Sequence, residues 1–287
     1  MTLPASPTLV DFPSGAVTSI ATVLHRERRG DQAVLLLDRT AAHPVDRAWP
    51  DQGADRGMLS SAGVEAVLLD CVVAATDGGS LFLGADVPVR KGTEGWTFLV
   101  AHLVYEAAPF REGDSVRVDI DEAYRTALSV GHTACHLASL ALNRALAIAW
   151  TKEVPSDSLG APNFDALAIE TSTILENGSR DEYRIGKSLR RKGFSTAALD
   201  DLVAVEGAVQ ATLDAWIGSA AAVRIERQGD AITDRRDWLC EIESCARIPC
   251  GGTHVASLAD LAGLTVRLER RELEGAMGLT MWTSTAG

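Results

Sequence analysis

The sequence lacks the features that mark several classes of protein. No apolar run reaches the roughly 18 residues that a membrane-spanning helix needs, so we expect no membrane partner. The first residues, MTLPASPTLVDFPSGAV, do not show the basic start and apolar stretch of a secretion signal, and we expect a cytoplasmic protein. The five cysteines are odd in number and scattered, which argues against a disulfide framework and for a reducing compartment.

An excess of positive charge is also absent. The chain has 27 Lys and Arg against 39 Asp and Glu, which gives a formal net charge of −12. This balance argues against generic nucleic-acid binding, and we expect no DNA partner, although a local basic patch is compatible with it. With 287 residues, the chain is long enough for one large or two ordinary domains, each with a core.

The N-terminal part reads as β-structure. Between about residues 16 and 119, short apolar runs such as AVLLLDR, SLFLGADV and DSVRVDID alternate with turn signals such as TDGGS and REGD. We predict an antiparallel, small β-barrel domain over residues 1–121.

The pattern changes at Glu122. The following thirty residues are dominated by Ala and Leu, which predicts a long and largely buried helix that Asp121 or Asp119 would cap. Further strand-like and helix-like segments follow up to the C-terminus. We therefore predict an α+β fold, in which residues 122–287 form a second, α+β domain.

Two histidine-containing pairs stand out in this second domain. In GHTACH, His132 and His136 are four residues apart, which puts both rings on one face of the predicted helix. Taken alone, this pair is a weak signal for a metal site, and a pair of core histidines bonded to carbonyl groups is the favoured alternative. In PCGGTHV, Cys250 and His254 are separated by two glycines, which favour a tight loop over a helix.

Together the two pairs predict a metal site. A thiolate and three imidazoles form a borderline-soft set of ligands that suits Zn²⁺ rather than Mg²⁺ or Ca²⁺. Four protein ligands usually form a closed, structural zinc site, whereas an enzyme needs an open position. Either one ligand is held off the metal in the active state or the ion expands to five-coordinate, and the sequence does not choose between these alternatives.

The paired motif resembles a known family. HTACH followed far downstream by CGGTHV is similar to the editing domain of alanyl-tRNA synthetases, to their free-standing AlaX-type relatives and to threonyl-tRNA synthetase editing domains. Upstream, WPDQGADRG resembles the family's glycine-rich stretch YPEGGGQPxDxG, and LVAHLV resembles its HxV strand. The resemblance covers about residues 45 to 145 and 220 to 270, and leaves the segment from about 151 to 213 unmatched.

The resemblance implies a fold, a metal and a reaction. The fold is a small β-barrel followed by a two-layer α+β editing domain, and the zinc ligands are His132, His136, Cys250 and His254. The reaction is hydrolysis of the ester that joins a wrong amino acid to the 3′ end of a tRNA. Family members remove serine or glycine from the alanine tRNA. Because the triple glycine is missing here and VASLADLAG replaces VxxTxEIG, a threonine-like analogue such as fluorothreonine is an alternative substrate.

Four further residues acquire candidate catalytic roles from this reaction. Thr133 and Thr253 each neighbour a ligand and could offer hydroxyl groups to the amino acid, although bonds to the helix backbone or to a turn would explain them equally well. Gly251 and Gly252 could present backbone N–H groups to an oxyanion, or could serve turn geometry alone. No general base is evident from the sequence.

One stretch, RDEYRIGKSLRRKGF, carries a dense basic cluster. It could follow the phosphates of a tRNA acceptor stem, or it could be an ordinary solvated face. Its members are Arg180, Arg184, Lys187, Arg190, Arg191 and Lys192.

Two functions follow for the whole chain: a zinc-dependent aminoacyl-tRNA deacylase that acts in trans, or a non-catalytic accessory protein that retains a structural zinc on the same scaffold.

Overall fold

A computed structural model describes residues 3–47 and 49–285 of the chain, which divides into two compact units. The first unit contains the chain up to Arg125 together with Arg227–Arg236 and Gly251–Thr253. The second contains Thr126–Glu226, Asp237–Cys250 and the chain from His254 onward. The fold is α+β, as the sequence predicts. The domain boundary that we predict after residue 121 stays a prediction.

The first unit is built around an antiparallel sheet of eight strands in the order β6-β5-β10-β2-β3-β9-β7-β8, and β1 and β4 form a separate parallel pair. The strands are β1 (Leu9–Val10), β2 (Thr18–Arg29), β3 (Gln32–Leu37), β4 (Arg39–Thr40), β5 (Gly57–Ser61), β6 (Val64–Leu68), β7 (Asp70–Thr76), β8 (Leu81–Leu83), β9 (Thr97–Tyr105) and β10 (Ser115–Ile120). The sheet curls as a half-barrel, and among residues 3–47 and 49–285 no ladder joins β6 to β8 to close it.

Strand β3 explains why this sheet has two buried faces. Successive side chains of a strand point to opposite faces. Leu35 and Leu37 belong to one apolar cluster, whereas Val34 and Leu36 belong to another. A run of five consecutive buried apolar residues therefore marks the centre of the sheet, with a packed layer on each side.

The second unit combines helices with two small sheets. Its elements are α1 (Glu122–Ala145, whose first turn belongs to the first unit), α2 (Phe164–Ala168), β11 (Ile169–Leu175), β12 (Gly178–Ile185), α3 (Lys187–Arg191), α4 (Leu202–Gly218), β13 (Val223–Arg227), β14 (Arg236–Ile242, which starts in the first unit), β15 (Ser244–Pro249), β16 (Thr265–Leu273) and β17 (Ala276–Ser284). One sheet has the strand order β11-β12-β17-β16 and the other β13-β14-β15.

Helix α1 begins and continues as its sequence predicts. The side chain of Asp121 accepts a hydrogen bond of 3.0 Å from the backbone N–H of Tyr124, which is an N-terminal cap. From Val130 to Asn143 every residue of the helix is buried, as expected for a helix that is apolar on all sides. Among the residues that the structure describes, no helix is long and apolar enough to cross a membrane.

A buried histidine makes the stability of the first unit depend on pH. His102 on β9 is fully buried, with Nε2 2.8 Å from the Thr40 hydroxyl and Nδ1 3.3 Å from the Leu35 carbonyl oxygen. Burial lowers the pKa of His102 to about 4, from an ordinary value of 6.5. The folded protein therefore keeps this ring neutral under conditions in which the unfolded chain binds a proton.

We predict that His102→Gln weakens the pH dependence of unfolding. Because the unfolded chain binds more protons, the free energy of unfolding falls as the pH drops from 6.5 towards 4, and the pKa difference corresponds to about 3 kcal/mol. Glutamine cannot be protonated and removes this contribution. Urea unfolding at pH 7 and at pH 4.5 measures it, and an equal loss of stability in wild type and variant would contradict the prediction.

Candidate metal centre

Four side chains of the second unit bring their ligand atoms together. One potential ligand atom from each of His132, His136, Cys250 and His254 lies within 4.8 Å of the others. The Cys250 sulfur lies 3.4 Å from His132 Nε2 and 3.2 Å from His254 Nε2. In a tetrahedral zinc site, usual bond lengths put sulfur and nitrogen ligands roughly 3.6 Å apart. The two measured separations are close to that value.

Helix α1 supplies two of the four ligands. His132 and His136 lie one turn apart, and their ring centroids are separated by 4.8 Å. Gly131 precedes them at a point where the helix approaches the β11–β12 hairpin: a Cβ atom there would lie 2.3 Å from the carbonyl oxygens of Leu175 and Gly178. Any other residue at 131 would push the helix away from the hairpin and would shift both histidines.

Thr133 orients the fourth ligand. Its hydroxyl lies 3.1 Å from His254 Nδ1, donates a hydrogen bond of 2.9 Å to the Ser129 carbonyl oxygen and accepts the Val255 N–H at 3.3 Å. Since the hydroxyl proton goes to Ser129, the proton shared with His254 must sit on Nδ1. The lone pair on Nε2 is then free to point at the Cys250 sulfur and at a metal. These bonds favour a positioning role for Thr133 over contact with an amino acid.

The electrostatics of the cluster suit a metal. Burial alone would raise the pKa of the Cys250 thiol, but the nearby imidazoles of His132, His254 and His136 outweigh it and hold that pKa well below its usual value. Burial, with help from His132, lowers the pKa of His254 to about 3. A lowered thiol pKa favours the thiolate and a lowered imidazole pKa favours the neutral ring, and these are the forms that bind zinc.

His136 provides the test of whether a metal fits. Its Nε2 is buried and has no hydrogen-bond partner among the described residues, so it is not a core histidine bonded to a carbonyl group through this atom. An unsatisfied buried nitrogen costs free energy that a bound cation would remove. The indole of Trp238, which is fully buried, packs against the same ring at 5.3 Å between centroids. The residues present fit zinc, with an apolar wall on one side.

Two carboxylates that sequence reasoning missed, the buried Asp181 and the half-buried Asp165, lie in the same unit. Asp181 on β12 is almost fully buried and accepts hydrogen bonds from Ser172 at 2.6 Å, Ser179 at 3.0 Å and the Cys135 thiol at 3.4 Å. Burial raises the pKa of Asp181, and the bonds from the two serines partly offset this. The signal that could have revealed it is an acid at an inward-facing position of β12, between Ser179 and Tyr183 on the same face.

The second carboxylate belongs to Asp165. It accepts a hydrogen bond of 3.0 Å from the hydroxyl of the fully buried Tyr183. Burial and the charge of Asp181 raise the pKa of Asp165 to about 6, and the His136 imidazole lowers it slightly. This pair of acids is thus electrostatically coupled to a metal ligand, although no sequence motif connects them.

The glycine loop between Cys250 and His254 belongs to the first unit, where Gln52 holds it. The Gln52 side chain donates a hydrogen bond of 2.9 Å to the Thr253 hydroxyl and accepts the Thr253 N–H at 3.0 Å. No atom lies within 4 Å of the place where a Cβ of Gly251 would be. The candidate roles of Thr253, Gly251 and Gly252 towards a substrate remain predictions.

The basic cluster is largely exposed. Arg180 and Arg184 lie on the solvent side of β12, where Arg180 pairs with Glu182 at 2.6 Å and Arg184 lies 3.8 Å from Glu170. The other four cations are exposed and form no ion pair with any described residue. They are Lys187, Arg190, Arg191 and Lys192.

The sequence is similar to alanine–tRNA ligases and to an alanyl-tRNA editing protein. An alanine–tRNA ligase of Frankia alni is 30% identical over 259 residues, which cover 87% of this chain and 25% of that protein. The alanyl-tRNA editing protein AlaX-M of Pyrococcus horikoshii is 27% identical over 250 residues, which cover 86% of each chain. No family model matches.

The chain is similar to an AlaX-type alanyl-tRNA editing protein over most of its length. It spans about a quarter of the length of the alanine–tRNA ligases that it matches. An alignment over 86% of 287 residues leaves about 40 residues out, so it must include at least part of the 63-residue segment from 151 to 213, which no motif of the sequence matched. This segment contains β11, β12, Asp165 and Asp181, and at least part of it lies in the region that aligns with the editing protein.

We predict that Thr133→Val weakens zinc binding about 10- to 100-fold, because His254 loses the partner that fixes its tautomer. Thr133→Ser keeps the hydroxyl and is the matched control, with an affinity near wild type. Competition with a chromogenic chelator measures both. If the Val variant binds zinc as tightly as the Ser variant, the hydroxyl does not orient the ligand.

Proposed function

We propose that this protein is a zinc-dependent aminoacyl-tRNA deacylase that acts in trans, in the cytoplasm. The observation that carries the proposal is the buried set of one thiolate and three imidazoles, found in a chain that aligns over 86% of its length with a free-standing editing protein. Zinc would be held by His132, His136, Cys250 and His254. The alternative, an accessory protein with a structural zinc, predicts the same metal without turnover.

The reaction is hydrolysis of an ester. Water adds to the carbonyl carbon, the bond to the ribose oxygen breaks, and the products are a free amino acid and a tRNA with a free 3′ hydroxyl. A bound zinc ion would supply electrophilic assistance to the carbonyl group or to the attacking water. The N–H groups of Gly251 and Gly252 would donate to the oxygen that becomes negative, and Trp238 would exclude bulk water from one side of the His136 ring.

The carboxylates of Asp181 and Asp165 would give the site a second property, the attraction of a positively charged group. The substrate of an editing enzyme carries a free α-ammonium group, which a nearby negative charge would attract. Asp181 accepts hydrogen bonds from three donors, and burial and the charge of Asp181 raise the pKa of Asp165 to about 6, so Asp165 gains its negative charge as the pH rises through 6. Seryl or glycyl esters of the alanine tRNA, or an ester of a threonine-like analogue such as fluorothreonine, are the substrates that we propose.

We predict that the purified protein contains one zinc ion and releases an amino acid from at least one mischarged tRNA, while sparing the matched one. His132→Ala and Cys250→Ala should lose both zinc and turnover, because a missing ligand leaves the other donors buried and unpaired. A panel of seryl-, glycyl- and threonyl-type esters with metal analysis of each variant measures this.

Cys245→Ala is the matched control, since Cys245 is an exposed cysteine outside the cluster. It should retain zinc and activity. Full zinc occupancy in a His136 and Cys250 double variant would refute the metal site. Intact zinc with no turnover on any ester would refute the deacylase and favour the accessory protein.

We further propose that the basic cluster binds the acceptor stem. With a net charge of −12, the protein must attract a polyanion through a local positive surface, and four exposed cations near α3 have no ion-pair partner among the described residues. Phosphate contacts position the tRNA without touching the ester.

We predict that replacing Arg190, Arg191 and Lys192 with Ala raises KM and leaves kcat and zinc content near wild type. Each lost phosphate contact should lower the slope of log affinity against log salt by about 0.7–0.9. Titration of tRNA binding against salt measures the slope. Identical slopes for wild type and triple variant would mean that the cluster is only a solvated face.

A further inference from the structure

The four candidate ligands differ in how closely they contact one another. The Cys250 sulfur lies 3.4 Å from His132 Nε2 and 3.2 Å from His254 Nε2. By contrast, His136 Nε2 has no hydrogen-bond partner among the described residues, so it makes no such contact with the sulfur. The ring centroids of His132 and His254 are 4.3 Å apart, whereas the His136 centroid lies 4.8 Å and 5.0 Å from theirs. Three of the donors therefore form a compact group, and His136 lies at its edge.

The surroundings fix His136 less firmly than the other two histidines. The Thr133 hydroxyl lies 3.1 Å from Nδ1 of His254 and holds that ring, and His132 is fully buried. His136 keeps a small exposed fraction, 8% of the residue, and its ring packs edge-on against Trp238 at 5.3 Å between centroids. An edge contact with an indole is apolar and does not direct a ring nitrogen towards a metal. Rotation of the His136 ring therefore breaks no hydrogen bond of its Nε2, whereas rotation of His254 breaks the bond to Thr133.

Two carboxylates would stabilise the His136 ring away from the metal. Asp165 and Asp181 both act electrostatically on His136. An imidazole that leaves a metal needs a partner for its ring N–H, and a carboxylate is a strong acceptor. The largest charge effects on His254, in contrast, come from other members of the cluster. The environment of His136 therefore supplies an alternative partner inside the same unit.

A catalytic zinc site needs a position that the substrate can occupy. Catalytic zinc ions generally have three protein ligands and keep the fourth position for water or substrate, whereas four protein ligands close the site. Cys250, His132 and His254 are the three ligands with the closest mutual contacts. His136 is the ligand whose departure disturbs the fewest polar contacts of the cluster.

We propose that His136 is the displaceable ligand of this centre. At rest it completes the set of four donors, and it gives up its position when an oxygen atom of the substrate or of water binds. The ring then turns towards Asp165 and Asp181, while the other three ligands stay in place. The part that concerns the substrate rests on the proposed function, whereas the unequal contribution of His136 to metal binding is a property of the protein without substrate.

The first experiment compares zinc binding by three matched variants. His136→Phe, His132→Phe and His254→Phe each keep a ring for packing and remove the ligand atoms. Competition with a chromogenic chelator measures the affinity of each purified protein for Zn²⁺. His136→Phe should weaken binding by about tenfold or less, because three close ligands remain, whereas His132→Phe and His254→Phe should each weaken it by at least about 100-fold. Losses of equal size in the three variants would overturn the inference.

Folding is checked separately, because each variant changes a ring in the interior. Circular dichroism and thermal unfolding of the metal-free proteins compare each variant with wild type. A second pair, His136→Asn and His132→Asn, repeats the comparison with a side chain that is too short to reach the metal and adds no apolar ring. The same ranking in the Asn pair would support the inference, and an equal or reversed ranking would overturn it.

The second experiment follows the histidine nitrogens directly by nuclear magnetic resonance. The chain has six histidines, so the signals of nitrogen-labelled rings can be assigned from single variants. Sodium azide, an anion that binds zinc through one atom, is titrated into the zinc-loaded protein and stands in for an incoming oxygen. The His136 Nε2 signal should move from the metal-bound to the unbound position, while those of His132 and His254 stay metal-bound. Three metal-bound imidazoles beside bound azide would mean that the ion expands to five-coordinate, and this result would overturn the inference, as would release of His132 or His254.

The outcomes distinguish this inference from the proposed function, because neither experiment measures turnover. Equal zinc losses in the three Phe variants would overturn the displaceable ligand and leave the deacylase supported by any turnover of a mischarged tRNA. The absence of turnover on every ester would refute the deacylase, whereas a small loss of zinc affinity in His136→Phe and selective release of His136 by azide would still support the displaceable ligand.

Discussion

The second unit depends on bringing four metal-binding atoms together in an apolar interior. A thiolate and three imidazoles within 4.8 Å of one another are costly to bury unless a cation neutralises the sulfur and uses the nitrogen lone pairs. The surroundings fix these donors in one arrangement. Gly131 lets α1 lie against the β11–β12 hairpin, and Thr133 sets the tautomer of His254. The position of the candidate ligands therefore depends on how α1 packs against its neighbours.

The first unit handles buried charge in two different ways. Asp55 and Arg125 form a buried ion pair, and Arg125 also donates to the Ala41 carbonyl oxygen at 2.8 Å, so both charges are compensated inside the protein. Arg236 is equally buried; it donates a hydrogen bond to the Ala231 carbonyl oxygen at 2.7 Å, and the carboxylates of Asp234, Asp230 and Asp46 act on its charge without an ion pair among the described residues. The charge of Arg125 is therefore compensated by direct contact with Asp55, whereas that of Arg236 is compensated by carboxylates that do not contact it.

The sequence predicted the metal cluster because its signals are local. The spacing of His132 and His136 fixes their geometry on any helix, and two glycines next to Cys250 imply a loop whatever lies around them. The resemblance to AlaX-type editing proteins, which rests on these motifs, is confirmed by proteins that are 25–30% identical to this chain over the aligned residues. The predicted barrel is found as a curled half-barrel sheet, because composition and turn signals predict strands but not the ladder that would close them.

The sequence by itself determined the α+β class, the buried helix α1 and the identity of the candidate ligands. Each of these follows from composition, from the spacing of apolar residues or from a short motif, and so from residues close together in the chain. Only the tertiary structure decided which buried polar groups meet across long distances. The hydroxyl of Thr133 contacts His254, Asp181 collects donors from three separate segments, and Arg236 lines a narrow cleft together with Gly251. The physical reason is that burial, and hence the cost of an unpaired charge or donor, is a property of the folded environment and not of the local sequence.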